Sequence, residues 1–330
     1  MVSRRFPAWL VKRLPNPSLA HEVKVLMREK RLHTVCEEAR CPNLFECFSR
    51  STATFMIGGD VCTRTCGYCA VQKGTPLPLD PEEPRHVAEA AARMKLRHVV
   101  VTMVNRDDLP DGAADHVAET IGAIREFLPG ATVEVLVSDF MGDFQAVERV
   151  VSARPDVFNH NMETVRRLFK RIRPNGDYER SLRVLGMARG LGMMTKSGIM
   201  VGMGEEEADV LSLMDDLRRP GVDCQIMTIG QYLAPQVKAV PMKEYIHPDA
   251  YGRYRAAGRA RGFAHVFAGP FVRSSYNAEE ALHAAQGACG SPAHHGDPEA
   301  RRFLTPDGSG RNVPAPPPRR IPLAISAARG

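Results

Sequence analysis

The stretch TATFMIGGDVCTRTCGYCAV, residues 52–71, runs a short apolar strand into a cysteine loop. Thr54-Phe55-Met56-Ile57 reads as the first strand and Gly58-Gly59 ends it. Cys62, Cys66 and Cys69 follow with the spacing C-x3-C-x2-C. A structural zinc site normally closes with four protein ligands, so three thiolates on one loop point elsewhere. Three thiolates on a four-iron cluster leave one iron open, and an open iron is where a small molecule binds and reacts. Upstream, Cys36, Cys41 and Cys47 form a second triplet, C-x4-C-x5-C, ending 15 residues before Cys62. Soft thiolates suit iron–sulfur clusters, and the proximity of the triplets suggests two such clusters in one cavity.

Outward from this loop, strands and helices alternate. Candidate strands lie at 97–102, 132–137, 156–159, 196–201 and 225–230, with helical stretches near 84–95, 113–128, 143–153, 163–172, 178–191 and 206–218. The strands are apolar on both faces, as in a buried parallel sheet. Six such units in series predict an α/β fold, a partial parallel (β/α)6 barrel whose strand-end loops line the active face. Segment 263–268 adds a further apolar stretch at the end. A helix over about 19–31, with Ser18 as its cap, leads into the first triplet. Four regions follow: an N-terminal extension over 1–50, the barrel over 51–270, a C-terminal segment over 271–286, and a Pro-, Gly- and Arg-rich tail over 287–330 expected to be disordered.

At 330 residues the chain is long enough to bury a full core without disulfide staples. Hydrophobic residues at 44% and aromatics at 6% are those of a globular protein, and no run approaches the 18 or so apolar residues of a membrane span. Of the six net positive charges, residues 301–330 carry five, as six Arg against Asp307. The body is therefore nearly neutral, which argues against a nucleic-acid partner. The N-terminus lacks an apolar signal region, and clustered thiols fit a reducing compartment, so the expected location is cytoplasmic. Cys224 reads as core and Cys289 as a free thiol of the tail, where His294-His295 is expected to form no ordered site. A zinc knuckle is the alternative for the loop cysteines, with His86 or the other triplet completing it.

The chain resembles the lipoyl synthase family of the radical S-adenosylmethionine (SAM) superfamily. The resemblance runs from Trp9 to about Leu282. It is carried by HTVCEEARCPNLFEC (33–47), the 52–71 stretch, RDDLPDG (106–112), FNHNMETV (158–165), TKSGIMVGMGE (195–205), TIGQYLAP (228–235) and GPFVRSSY (269–276). Tyr68, before the last loop cysteine, fits the family habit of an aromatic there. The early C-x4-C-x5-C triplet together with the late RSSY separates this family from biotin synthase-like and methylthiotransferase-like sulfur-inserting enzymes. Two departures stand out: Met103-Val104-Asn105 replaces the usual Ser-Val-Asp, and Ala239 stands where the family often has His.

The resemblance implies two [4Fe-4S] clusters and SAM. Cys62, Cys66 and Cys69 would hold the cluster whose open iron binds SAM. Its one-electron cleavage would yield a radical able to take hydrogen from an unactivated carbon, a task beyond any side-chain base. Cys36, Cys41, Cys47 and Ser275 would hold an auxiliary cluster that supplies sulfur to C6 and C8 of an octanoyl chain. Arg273 and Ser275 of RSSY would be the catalytic residues, with Ser274 the second choice of ligand. Without the family match, RSSY reads as a polar turn capping a helix over 277–286. Asn161 and Glu163, and also Asn159, would contact the ribose or methionine of SAM, with helix capping by Asn161 the alternative. Gly202, Gly204 and Glu205 would bring backbone close to SAM, against a plain strand-to-helix turn. Lys196 and Arg183 are candidates for a carboxylate contact or for solvated charge. The implied partners are an octanoylated carrier domain, from a 2-oxoacid dehydrogenase or the glycine-cleavage H protein, and a one-electron donor such as flavodoxin or ferredoxin. No nucleic acid or membrane is expected. The basic tail would help dock an acidic carrier. Ser275 lies 228 positions beyond Cys47. Closing that loop costs roughly 2–3 kcal/mol more than closing a 12-residue loop. Residues around Ser275 are therefore expected to be mobile until the cluster forms.

Overall fold

The computed structural model describes residues 6–12, 17–50 and 52–289. The chain opens with α1 (Pro17–Glu29), β1 (His33–Thr34), α2 (Val35–Glu38) and α3 (Leu44–Ser49). Then come β2 (Thr54–Ile57), β3 (Val61–Cys62), β4 (Gln72–Lys73) and α4 (Glu83–Arg93). The alternating body runs β5 (His98–Met103), α5 (Ala114–Phe127), β6 (Thr132–Leu136), α6 (Phe144–Ser152), β7 (Val157–Asn159), α7 (Arg166–Ile172) and α8 (Tyr178–Gly190). It continues with β8 (Met194–Val201), α9 (Glu207–Arg218), β9 (Ile226–Gln231), α10 (Pro248–Ala260), β10 (His265–Gly269) and α11 (Ala278–Cys289).

Eight strands form one sheet in the order β1-β2-β5-β6-β7-β8-β9-β10. β1 is antiparallel to β2, and every other neighbouring pair is parallel. The parallel order follows the chain, as successive βα units require. Among the described residues the two ends of the sheet, β1 and β10, are not paired with each other. The apolar segment near 263–268 forms the edge strand β10, in register with β9 from His265 opposite Ile226. The N-terminal extension joins the same sheet through β1, His33 pairing with Met56.

Helices begin where short acceptors meet free amides. The Asp143 side chain accepts from Gln145 N in α6, that of Asp177 accepts from Arg180 N in α8, and Glu206 with Asp209 makes a capping box for α9. The core divides in two. One half packs α1 and α4–α6 on β2, β5 and β6 through Val87, Val101, Ile121 and Val147. The other packs α7–α10 on β8–β10 through Leu182, Leu213, Met227 and Tyr251.

Several expectations need correction. Ser18 lies inside α1, which includes Pro17, rather than capping it. The helix expected from 163 begins at Arg166 with Val165 as its N-cap residue, so Asn161 caps nothing. α10 escapes a reading by periodicity because Gly252 and Gly258 look like breaks. Yet a Cβ at Gly258 would sit 2.4 Å from Val266 Cγ2, so the glycine lets α10 lie against β10. The C-terminal helix runs through Cys289 rather than ending at 286. The rest of the tail, with His294 and His295, and the side chain of Cys289 lie outside the described residues. Among the described residues no helix is long and apolar enough to cross a membrane.

Candidate active site

The loops that follow the parallel strands carry the site. After β2, Gly58 and Gly59 take φ of +82° and +95°, turning the chain into the cysteine loop. The loop is closed by parallel pairing of β3 with β4, Val61 opposite Gln72 and Cys62 opposite Lys73. It is pinned from several sides. Thr63 N and Oγ1 donate to Asn105 O, Thr65 N and Oγ1 donate to Asn175 Oδ1, and Gly67 N donates to Ile172 O. Cys66 and Cys69 are bridged by a backbone bond from Cys69 N to Cys66 O, 3.3 Å. The loop after β5 reaches the sulfur itself: Asn105 N and Nδ2 donate to Cys62 Sγ at 3.4 and 3.6 Å.

The first triplet is built from helical turns. Thr34 Oγ1 caps α2 by accepting from Glu37 N, and Cys36 lies on that turn. Arg40, at φ +52°, ends the turn, so that Cys41 N donates to Cys36 O at 3.0 Å. Leu44 N then donates to Cys41 O, and α3 carries Cys47. Neither short helix is visible as a hydrophobic period. The spacing of the cysteines is their sequence signal.

Two adjoining cavities result. One is lined by Cys36, Cys41 and Cys47 with Arg273, Ser274 and Ser275. The other is lined by Cys62, Cys66 and Cys69 with Arg64, Asn105 and Arg173. Tyr68, Cys69, Asn161 and Glu163 belong to both walls. The seven cysteines whose side chains are described are free thiols. Burial and the neighbouring Cys41 push Cys47 up to about 12, and the same two causes raise Cys36. Burial, with added repulsion from Cys66 and Cys62, pushes Cys69 up to about 12. Thiols so placed, Cys36, Cys47 and Cys69, resist ionisation until a cationic centre compensates them, which is the donor chemistry of an iron–sulfur site. Among the described residues no three His, Cys, Asp or Glu side chains stand close enough to share one metal ion. The thiols are spread along the cavity walls instead.

Residues that sequence reasoning passed over surround the second cavity. Arg64 is 2% exposed and makes two 2.7 Å bonds to Asp107 and a 2.6 Å bond to the buried Asp139. Arg180 also donates to Asp139, at 2.8 Å. Burial alone would raise Asp139, but Arg64 in particular, with His160 and Arg180, holds it well below the usual carboxylate range. Arg173 donates to the carbonyls of Asn161 and Met162. Arg64 Nη1, Asn105 Oδ1, His160 Nε2 and Arg173 Nε are buried without a hydrogen-bond partner, and all four residues line this cavity. Unpaired buried polar atoms are costly, so four on one cavity suit a polar, zwitterionic ligand such as SAM. The only sequence signal for them was proximity to marked motifs: Arg64 inside the cysteine loop, His160 within FNHN.

Of the residues expected to contact SAM, Asn161 and Glu163 do face the shared wall. Asn161 Nδ2 donates to Glu163 Oε1 at 3.0 Å, and its Oδ1 accepts from Ser274 Oγ at 2.5 Å. Glu163 sits in the left-handed region at φ +68°, and burial raises its carboxyl. Gly198 makes room for this cluster. A Cβ there would lie 2.4 Å from Thr228 Oγ1, 2.7 Å from Ser274 Oγ and 2.9 Å from Asn161 Oδ1. Asn159 is buried on the sheet and donates to Glu134 Oε1, away from both cavities. Gly202, Gly204 and Glu205 form the turn after β8 and are not among the residues lining the two cavities. Glu205 Oε2 accepts from Gly202 N and Met203 N inside the turn, and its Oε1 accepts from Thr164 Oγ1. A Cβ at Gly202 would lie 2.3 Å from Gln231 Nε2 and 2.7 Å from Glu244 O, so the glycine lets those two groups approach the turn. Lys196 contacts a carboxylate, but an internal one, Glu134; Arg183 is exposed.

An open parallel sheet with a three-cysteine loop at the C-terminal end of its first parallel strand defines a radical SAM enzyme. A family model described as the radical SAM superfamily matches residues 56–217, and one for the N-terminal domain of lipoyl synthase matches residues 2–41. Solved structures agree on the fold. The chain aligns to a methylornithine synthase with a TM-score of 0.50 and 11% identity, over 86% of this chain and 92% of that one. It aligns to the SAM-bound SuiB of Streptococcus suis at 0.52 and 11%, over 65% and 49%. A [4Fe-4S] cluster and SAM therefore belong to this enzyme. Among sequence relatives, the lipoyl synthase of Caldanaerobacter subterraneus subsp. tengcongensis is 54% identical, over 86% of this chain and 99% of its own. That of Rubrobacter xylanophilus is 54% identical over 86% and 89%, and that of Thermus thermophilus 52% over 84% and 87%. The chain belongs to the lipoyl synthase family and is a radical SAM sulfurtransferase, which decides against the biotin synthase-like, methylthiotransferase-like and zinc-binding alternatives.

Proposed function

We propose that this enzyme inserts two sulfur atoms, at C6 and C8, into an octanoyl chain borne on a lysine of a lipoyl carrier domain. The observation that carries this reading is the pair of adjoining cavities, each walled by one cysteine triplet and sharing Tyr68, Cys69, Asn161 and Glu163. Cys62, Cys66 and Cys69 would hold the SAM-binding [4Fe-4S] cluster. Cys36, Cys41, Cys47 and Ser275 would hold an auxiliary [4Fe-4S] cluster that serves as the sulfur substrate. When bound, the first cluster and SAM supply one-electron cleavage of a carbon–sulfur bond and a radical strong enough to take a methylene hydrogen.

The chain's own residues supply position and shelter. Arg64 and Arg173 present buried cationic groups to the SAM cavity, the first neutralised on its far side by Asp107 and Asp139. Tyr68, Ile199, Met200, Tyr232, Leu233 and Val272 give the larger cavity an apolar wall that suits an acyl chain and excludes water. The Ser274–Asn161–Glu163 chain of bonds ties RSSY to the shared wall. The carrier domain and a flavodoxin or ferredoxin as electron donor remain the proposed partners. The test is anaerobic incubation with SAM, dithionite and an octanoyl-lysine peptide. Mass spectrometry should find a two-sulfur product, and a product that is only hydroxylated or methylthiolated would refute the reading.

Asn105 gives a second check. Its N–H groups point at Cys62 Sγ, and such donors stabilise the reduced state of a cluster. Asn105→Ala, which keeps the backbone donor, should make that cluster about tenfold harder to reduce, equivalent to about 59 mV for one electron. An anaerobic potentiometric titration followed by electron paramagnetic resonance reads this directly. An unchanged midpoint would rule out a tuning role for the side chain.

A further inference from the structure

We propose that Lys12, Glu46 and Tyr276 form a polar clamp that holds Ser275 beside Cys47 whether or not a cluster is bound. In sequence, Glu46 immediately precedes Cys47, and Tyr276 immediately follows Ser275. Tyr276 O–H donates to Glu46 Oε1 at 2.9 Å, although 230 positions separate the two residues. Lys12 Nζ donates to Glu46 Oε2 at 2.6 Å and to Asn43 Oδ1 at 2.8 Å. The same ammonium lies over the rings of Phe271, 4.2 Å from its centroid, and Tyr276, at 5.2 Å. Asn43, 1% exposed, closes the circuit by donating from Nδ2 to Phe271 O at 2.6 Å.

Three distant pieces of chain thus meet around one carboxylate: the N-terminal segment at Lys12, the turn bearing Cys47, and the segment bearing Ser275. Both Glu46 oxygens are used, and its side chain is only 22% exposed, as is that of Lys12. Such a part-buried network is worth more than a solvent-exposed ion pair. Cys47 and Ser275 accordingly line the same cavity. None of these contacts needs iron. The expectation from loop closure alone, that residues around Ser275 stay mobile until a cluster forms, leaves out this hold, because the pairing of Glu46 with Tyr276 and Lys12 is made only by the fold.

The clamp matters because of what the site is proposed to do, and to that extent it rests on the functional reading above. A cluster consumed as sulfur donor leaves its protein ligands behind. If the cluster alone tethered Ser275, each turnover would release the C-terminal segment and reloading would repeat the loop closure. With the clamp, the ligands stay assembled while iron leaves. Lys12, Glu46 and Tyr276 are positioning residues; none reaches the reacting atoms.

The experiment is hydrogen exchange, read by mass spectrometry, on the full chain in iron-loaded and iron-free forms. Amides of 271–277 should be protected in both forms. Tyr276→Phe and Lys12→Met should each raise exchange there at least about tenfold in the iron-free chain while β5–β9 are unaffected. Rapid exchange of this segment in the iron-free parent chain would overturn the proposal, as would parental protection in both variants. Lys12→Met guards against a packing effect peculiar to position 276. A spectroscopic arm uses the chain with Cys62, Cys66 and Cys69 replaced by Ala, leaving only the auxiliary site. Mild oxidation should convert about four iron to about three, with a three-iron resonance signal, more readily in Tyr276→Phe than in its parent. Equal conversion in the two would count against the clamp. If this chain took up no iron while 271–277 stayed protected, the auxiliary-cluster reading would fail and the clamp would stand.

Discussion

Replacing Ser275 with cysteine is expected to leave about eight iron per chain and to abolish sulfur insertion. The two serines of RSSY differ in what they touch. Ser274 Oγ is engaged by Asn161 Oδ1 at 2.5 Å and lies 3.5 Å from Thr228 Oγ1. The Ser275 side chain has no such hydrogen bond among the described residues, and it lines the cavity walled by Cys36, Cys41 and Cys47. An alkoxide is a harder ligand than a thiolate, so in the proposed auxiliary cluster the Ser275 corner would be the one that lets go. Cysteine at 275 would close the fourth corner with the ligand type of the other three and hold the sulfur substrate in place. Iron analysis and the visible absorbance should match the parent enzyme, while the octanoyl-lysine peptide gains no sulfur. Ser274→Ala is the companion variant, expected to disturb the Asn161–Glu163 contact rather than cluster lability. Full two-sulfur turnover by Ser275→Cys would remove the labile-corner idea.

The legible and illegible parts of this chain differ in kind. The parallel strands announced themselves because each is buried on both faces, and Val99-Val100-Val101 or Ile226-Met227 leave little room for another assignment. The cysteine loop was legible because its chemistry is carried by residue type and spacing, both local. Three other things were not. The short helices holding Cys36 and Cys47 span only one or two turns, too few for a hydrophobic period to appear. α10 was masked by two glycines, of which Gly258 serves contact with β10. The polar lining of the cavity walled by Cys62, Cys66 and Cys69 depends on pairings such as Arg64 with Asp107 and Asp139, brought together by the sheet from loops after β2, β5 and β6. The internal bonds of the GMGE turn were equally illegible: Glu205 Oε2 accepts from the turn's own amides at Gly202 and Met203, and its Oε1 accepts from Thr164 Oγ1, 41 positions away.

Lys196→Met is expected to destabilise the fold by about 3–5 kcal/mol, because it strands a buried carboxylate. Lys196 on β8 and Glu134 on β6 are each 1% exposed, and Nζ lies 2.9 Å from both carboxylate oxygens. Asn159 Nδ2 donates to the same carboxylate at 2.9 Å, and His98 Nε2 stands 3.8 Å from it. Burial alone would push Glu134 up. The Lys196 charge outweighs it, with His98 assisting, and holds the carboxyl at about 2 against an ordinary 4.5. The sign of the pH dependence follows. A carboxyl whose folded value lies below its unfolded one contributes its full stability above about 4.5, and loses it as pH falls toward about 2. The contribution is on the order of 3 kcal/mol at neutral pH, at about 1.4 kcal/mol for each tenfold change in proton affinity. Denaturant unfolding at neutral pH should show the Lys196→Met loss, and the Glu134→Gln/Lys196→Met pair should recover most of it, since removing both charges removes the uncompensated one. Acid titration of the iron-free chain adds an independent reading: the midpoint of the parent should fall between about pH 4.5 and 2, and the doubly substituted chain should lose less over that window. Single and double variants of equal stability would mean that the pair is neutral in the sheet.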